Sequence, residues 1–125
     1  MSIPVDLAAL DEALSRHDTA YLLTSGDSRP HVAEVFPQLI NGHILLAEPG
    51  RTARRVVGDR PEVTVMLPPR AHGGYTLIID GTGEVDADDA LRIAPTHAVW
   101  HRAAGHGPQN DPPTGCGNDC QPLTN

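Results

Sequence analysis

The 125-residue chain contains no lysine, so all nine of its basic residues are arginine, set against sixteen aspartates and glutamates for a net charge of −7. Binding to nucleic acid or to an anionic membrane rests on many basic contacts to phosphate, so this balance excludes either as the main partner. No apolar run of 18 residues is present, and the opening Met1-Ser2-Ile3-Pro4-Val5-Asp6 lacks the basic start and apolar stretch of a secretory signal. A cytoplasmic setting is expected. There the only two cysteines, Cys116 and Cys120, are expected to be reduced or metal-linked rather than joined in a structural disulfide. Several catalytic signatures are also missing: there is no Gly-x-x-x-x-Gly-Lys phosphate loop, Ser25 and Ser28 have no nucleophile-elbow setting, and the carboxylates show no pairing pattern.

The richest stretch lies between residues 29 and 67. Two β-prone runs, His31 to Ile40 and His43 to Ala47, flank Asn41-Gly42, the dipeptide that most readily supplies the two positive φ angles of a tight hairpin. Pro49-Gly50 then breaks the extended chain, and Arg51, Thr52, Arg54 and Arg55 crowd the opening of a short helix that ends near Gly58. A helix start exposes unpaired N–H groups at the positive end of its dipole, and guanidinium groups add donors suited to phosphate. Anion binding is one reading, and a solvated basic turn is the other. Pro61 to Leu67 forms a further strand.

Around this stretch, Leu7, Leu10, Ala13 and Leu14 recur at helical spacing and predict a helix over Pro4 to His17. Ala20 to Thr24 is a short strand, and residues 68–74 form a loop. Tyr75 to Val85 is a strand in which Gly81 and Gly83 permit a bend or bulge. Five strands are expected in all. Asp86-Ala87-Asp88-Asp89 predicts a second helix running toward Arg102, kinked at Pro95. No closing strand is then left, so a partner subunit or a five-stranded closure would have to complete a barrel. Residues 1–103 form the domain, and residues 104–125 form a Pro/Gly-rich tail expected to lack regular structure.

The C-terminal third carries the soft ligands. On the predicted helix His97 and His101 share a face, and His106, Cys116 and Cys120 follow within 24 residues, so metal binding and a Cys116–Cys120 redox pair are both open. The spacing matches no standard zinc signature. Loose surface histidines are the plainer alternative.

The order strand, Asn-Gly turn, strand, Arg51-Thr52-Ala53-Arg54-Arg55, then Asp59-Arg60-Pro61-Glu62-Val63 resembles the split-barrel flavin-binding family of pyridoxamine 5′-phosphate oxidases and flavin- or deazaflavin-dependent reductases. The likeness covers roughly residues 21–85 and implies a mainly β fold with flanking helices, a split β-barrel of the FMN-binding type. It further implies an FMN-dependent oxidoreductase acting on a small-molecule substrate, with the flavin held at a homodimer interface. Residue by residue, it places Val32, Ala33 and Glu34 with Leu46 and Ala47 beside the flavin ring, Arg51, Thr52 and Arg54 on its phosphate, and Tyr75 and Thr76 at its polar edge. Thr52 stands where a lysine is often found. Two alternatives follow: a deazaflavin (F420)-dependent reductase, or a non-catalytic flavin, haem or metal carrier that uses the His/Cys-rich C-terminal region.

Overall fold

Val63, Val65 and Leu67 are buried while Glu62, Thr64 and Met66 between them are not, and the same alternation sets Leu77, Ile79 and Gly81 against Ile78, Asp80 and Thr82. A period of two buries one face of a pleated strand. The computed structural model describes residues 1–103, and in them eight such strands form one antiparallel sheet: β1 (Ser2–Pro4), β2 (Ala20–Ser25), β3 (Pro30–Val35), β4 (Gln38–Ile40), β5 (His43–Leu46), β6 (Glu62–Leu67), β7 (Thr76–Val85) and β8 (Leu91–His101). The tail expected over residues 104–125 lies outside the described residues.

Seven strands run in the order β3-β2-β6-β7-β8-β5-β4, and β1 pairs with the far half of β8. The two end strands, β3 and β4, are joined by Phe36-Pro37 alone. Laid flat, six inter-strand gaps would separate them by about 29 Å, whereas three Cα steps reach no more than about 11 Å. The sheet therefore rolls up, giving a split β-barrel whose inner face packs Leu10, Leu22, Ile44, Leu46, Leu77, Ile79, Leu91 and Ile93 at full burial. The expected single strand over 31–40 is thus two strands on opposite sides of the split. Pro37, with no N–H to donate, sits at the break.

Asn41 and Gly42 have φ of 52° and 80°, the pair of positive values the hairpin between β4 and β5 requires. Helix α1 (Leu10–Leu14), preceded by a 3₁₀ turn at Leu7–Ala9, buries Leu10 and Ala13. The helix expected over residues 4–17 is shorter than predicted, because Ser2–Pro4 adds a strand to β8 and the Asp6 side chain caps the turn at Ala8. Helix α2 (Arg51–Asp59) follows β5 and packs on β2 and β7.

The C-terminal region departs most from the sequence expectation. In place of a helix from Asp86 there is a turn, in which the Asp86 carboxylate accepts from the N–H groups of Asp88 and Ala90 and Asp89 takes a φ of 64°. A carboxylate bound to its own local backbone favours a turn over helix initiation. Leu91 and Ile93 then point inward two residues apart, and β8 pairs with β7 along ten residue pairs from Val85↔Leu91 to Thr76↔His101. The missing final strand is therefore present, and the barrel needs no partner to supply it. Pro95 is tolerated because the β7–β8 register shifts between Asp80 and Gly81, which frees Thr96 from pairing.

Gly81 is required at that irregularity. A Cβ there would lie 2.6 Å from the Ala94 carbonyl oxygen and 2.7 Å from Ile93 Cγ2. Gly81→Ala is expected to destabilise the fold by about 1–3 kcal/mol through overpacking. Gly58→Ala in α2 meets nothing within 4 Å and is expected to stabilise by about 0.5–1 kcal/mol, the helix preference of Ala over Gly. Urea midpoints of the two variants test the pair, and the reverse ranking would contradict the β7–β8 packing described.

Candidate functional site

Helix α2 is helical because Ala53, Val56 and Val57, spaced three and four apart, form one buried stripe against the barrel. Ahead of it Pro49 is fully buried, and Gly50, at φ 96° and ψ 154°, reverses the chain as only glycine does without strain. Gly50 provides no side-chain cap. The first helical bond runs from the Arg54 N–H to the Gly50 carbonyl at 3.1 Å, leaving the earlier N–H groups of the first turn outside the helical ladder.

With the apolar stripe inward, Arg51 and Arg55 are exposed, and Thr52 and Arg54 are half-buried at its margins. Three arginines therefore fall within the first five residues of one helix. Among the described residues the arginine–carboxylate ion pairs are Arg16–Glu12, Arg60–Asp27 and Arg70–Asp18, and none involves Arg51, Arg54 or Arg55. On a chain of net charge −7 this gathers positive charge without a contact ion pair at the positive end of a dipole.

Ala47 is exposed and four residues before Arg51, while Arg51, Thr52 and Arg54 lie in the first four positions of α2. Leu46 directs its side chain into the core, which leaves only its backbone for a ligand. Val32, Ala33 and Glu34 lie on β3, a terminal strand paired only with β2, so its other backbone edge faces the split in the barrel. Val32 and Glu34 point outward and Ala33 inward.

Tyr75 and Thr76 lie elsewhere. Val57 of α2 packs beside Gly83 of β7, and Tyr75 to Gly83 spans about 27 Å of extended strand, against about 9 Å of helix from Val57 to Arg51. Within one copy Tyr75 and Thr76 therefore stand well apart from the α2 arginines. Tyr75 instead lies beneath the Arg102 guanidinium at 4.7 Å.

The metal candidates separate as well. His97 and His101 are on a strand, where a four-residue spacing places them about 13 Å apart, too far to share one ion. Among the described residues no group of three or more His, Cys, Asp or Glu side chains is placed to hold a metal. His106, Cys116 and Cys120 lie outside the described residues.

Two polar groups missed by sequence reasoning stand opposite each other across β2 and β3. Thr24, 2% exposed, and His31 form a register pair on the inner face, and neither Thr24 Oγ1 nor His31 Nδ1 has a hydrogen-bond partner. A buried polar atom without a partner costs stability unless water or a ligand meets it. Their position on inward-facing, alternating positions of neighbouring strands was the available signal. Thr24→Val removes the hydroxyl at nearly constant shape and is expected to leave stability unchanged or raise it by about 1 kcal/mol. A loss above that size in chemical denaturation would mean the hydroxyl is hydrogen-bonded in solution.

No family model matches the chain. Two uncharacterized proteins, one from Mycobacterium bovis and one from Mycobacterium tuberculosis, are each 36% identical to it over 93% of its length and 92% of their own. Among solved structures it is similar to a putative pyridoxamine 5′-phosphate oxidase from Listeria innocua (TM-score 0.64, 13% identity, covering 78% of this chain and 98% of that one). It is also similar to a FAD-binding protein from Mesorhizobium loti (TM-score 0.63, 14% identity, 80% and 95%). An F420 reductase is similar at a TM-score of 0.53 and 16% identity, covering 75% of this chain and 93% of that one. The fold is thus the split barrel of the pyridoxamine 5′-phosphate oxidase-like and flavin- or deazaflavin-dependent reductase proteins. Within that class, the chain belongs to the family of the two mycobacterial proteins.

Proposed function

We propose that the protein is a flavin-binding oxidoreductase that holds the phosphate of FMN at the opening of α2. The observation that carries this reading is the trio Arg51, Arg54 and Arg55, none paired to a carboxylate among the described residues, around a helix start that follows a positive-φ glycine. The residues fit such a group in a second way. The open backbone edge of β3 leaves hydrogen-bonding capacity unfilled on the terminal strand that the resemblance associates with the ring.

When bound, flavin supplies hydride or electron transfer. The chain's own part is to bind and orient: Arg51 and Arg54 neutralise phosphate charge, the first-turn N–H groups of α2 donate to phosphate oxygens, and β3 backbone faces the ring. The similarity to an F420 reductase supports a second reading, in which Arg55 extends the cationic surface for a longer anionic cofactor.

Removing a charge-assisted contact worth roughly 1.5–3 kcal/mol should make Arg51→Ala bind FMN about tenfold to a hundredfold more weakly. Arg60→Ala is the matched control, because Arg60 is already engaged with Asp27 at 3.0 Å and lies at the other end of α2. Calorimetric titration with FMN, riboflavin and F420 checks the set. Equal affinity for FMN and riboflavin would remove the phosphate site, and tighter binding of F420 than FMN would select the second reading.

A homodimer is part of the proposal, on the outer face of the sheet. Tyr21, Met66, Ile78 and Val99 are register partners across β2, β6, β7 and β8 and form an outward, half-exposed apolar row. Val32 (55% exposed) and Phe36 (78% exposed) lie on the outward side of the neighbouring β3 and just beyond it. A stable pairing would bury more than about 1,000 Å². Light scattering at micromolar concentration is expected to show a dimer, and Ile78→Glu in the middle of the row is expected to raise its dissociation constant by at least about tenfold. A wild-type monomer would refute the assembly.

A further inference from the structure

The segment just after α1 (Arg16 and His17), the loop 68–74, β1 and the end of β8 line a cavity that includes no residue of α2. Its volume is about 440 Å³, within the range of small-molecule sites. Its walls include Trp100, Tyr75 and Ile3, and its polar members are Arg16, Arg70 and His17.

The aromatic wall is fixed by a chain of hydrogen bonds. An indole N–H only donates and a peptide carbonyl only accepts, so Trp100 Nε1 donates to His17 Nε2 at 3.3 Å and His17 Nδ1 donates to the Pro68 carbonyl at 2.9 Å. Both imidazole nitrogens are thereby used. His17 thus ties β8 to the loop.

The arginines are held in a common way. Arg16 contacts Glu12 Oε2 through Nε at 2.9 Å and Nη2 at 2.8 Å. Arg70 donates from Nε to Asp18 at 2.9 Å and from Nη2 to the Ser15 carbonyl at 2.8 Å. Each guanidinium is fixed along one edge and keeps Nη1 as its remaining donor group. The Arg16 guanidinium also stacks 4.8 Å over the Trp100 ring, which brings a fixed cation to the aromatic face. Glu12 and Asp18 balance the charge of the two guanidinium groups, so the cavity matches at most one negative group, met by their free donors, rather than a polyphosphate.

We infer that this cavity binds a flat conjugated ring carrying a single carboxylate, the ring against Trp100 and Tyr75 and the carboxylate on the Nη1 groups of Arg16 and Arg70. The site is independent of the flavin reading. It also gives Tyr75 a role that does not depend on proximity to α2.

Trp100 is the only tryptophan, so its indole N–H gives a single, assigned signal in a proton–nitrogen correlation spectrum. Titration of the full chain with naphthalene-2-carboxylate should move that signal saturably, and the neutral amide of the same ring should bind about tenfold more weakly. Arg70→Gln should erase that preference while leaving amide binding in place. Arg16→Gln provides the same test should the first variant fail to fold. Equal affinity for acid and amide, a shift that never saturates, or competitive displacement of the naphthoate by FMN would each overturn the inference. Loss of FMN binding in Arg51→Ala with naphthoate binding intact would support it while bearing separately on the flavin site.

Discussion

The structure depends on one connection that is too short. Because β3 and β4 stand at opposite ends of a seven-strand path yet are joined by Phe36-Pro37 alone, the sheet has to close on itself. Closure removes most of the edge that an open sheet would expose, and it packs Leu22, Val65, Ile79 and Ile93 into one core. It also leaves one unpaired line between β3 and β4. The inner face is filled by apolar side chains, which leaves the outer face and this line as the surfaces open to a ligand.

Much of this was legible. Asn41-Gly42 specifies a turn by its backbone conformation, and strict alternation in 62–67 and 76–82 specifies strands by which side chains are buried, so local chemistry was enough for both. The C-terminal strand was misread because Asp86, Asp88 and Asp89 are as common at helix starts as in turns. The difference lies in where the Asp86 carboxylate finds its donors, at Asp88 and Ala90, which composition does not record. The spacing of Leu91 and Ile93 favoured a strand, and Pro95 obscured it, since a proline inside a central strand is acceptable only beside an irregularity that involves the opposite strand at Asp80 and Gly81.

The candidate site was legible to the extent that it is contiguous in sequence. Arg51, Thr52 and Arg54 share the start of one helix and Ala47 lies four residues before it, and Gly50 announces where that helix begins. Residues distant along the chain were grouped less well. Tyr75 and Thr76 stand at the end of β7 away from Gly83 and α2, a separation set by the length of the strand, and His97 and His101 seemed paired only on a helix. Thr24 and His31 could be seen as neighbours only once the register of β2 against β3 was known.

The absence of lysine makes the placement of arginine informative. Arginine's planar fork is suited to fixed, directional contacts, and in Arg16, Arg60 and Arg70 it makes them with Glu12, Asp27 and Asp18. On an acidic surface, such pairs are the expected resting state of a guanidinium. Arg51, Arg54 and Arg55 depart from it together, on a single helical turn whose backbone already favours an anion. Crowding three like charges there opposes folding through mutual repulsion, and none of the three makes an ion pair with a carboxylate among the described residues. A bound anion removes the repulsion and uses the same donors that cause it. On this argument the turn is less stable alone than occupied, so the affinity of the site and the stability of α2 are linked, and an anion that binds there stabilises the folded chain in proportion to the logarithm of its concentration above the dissociation constant.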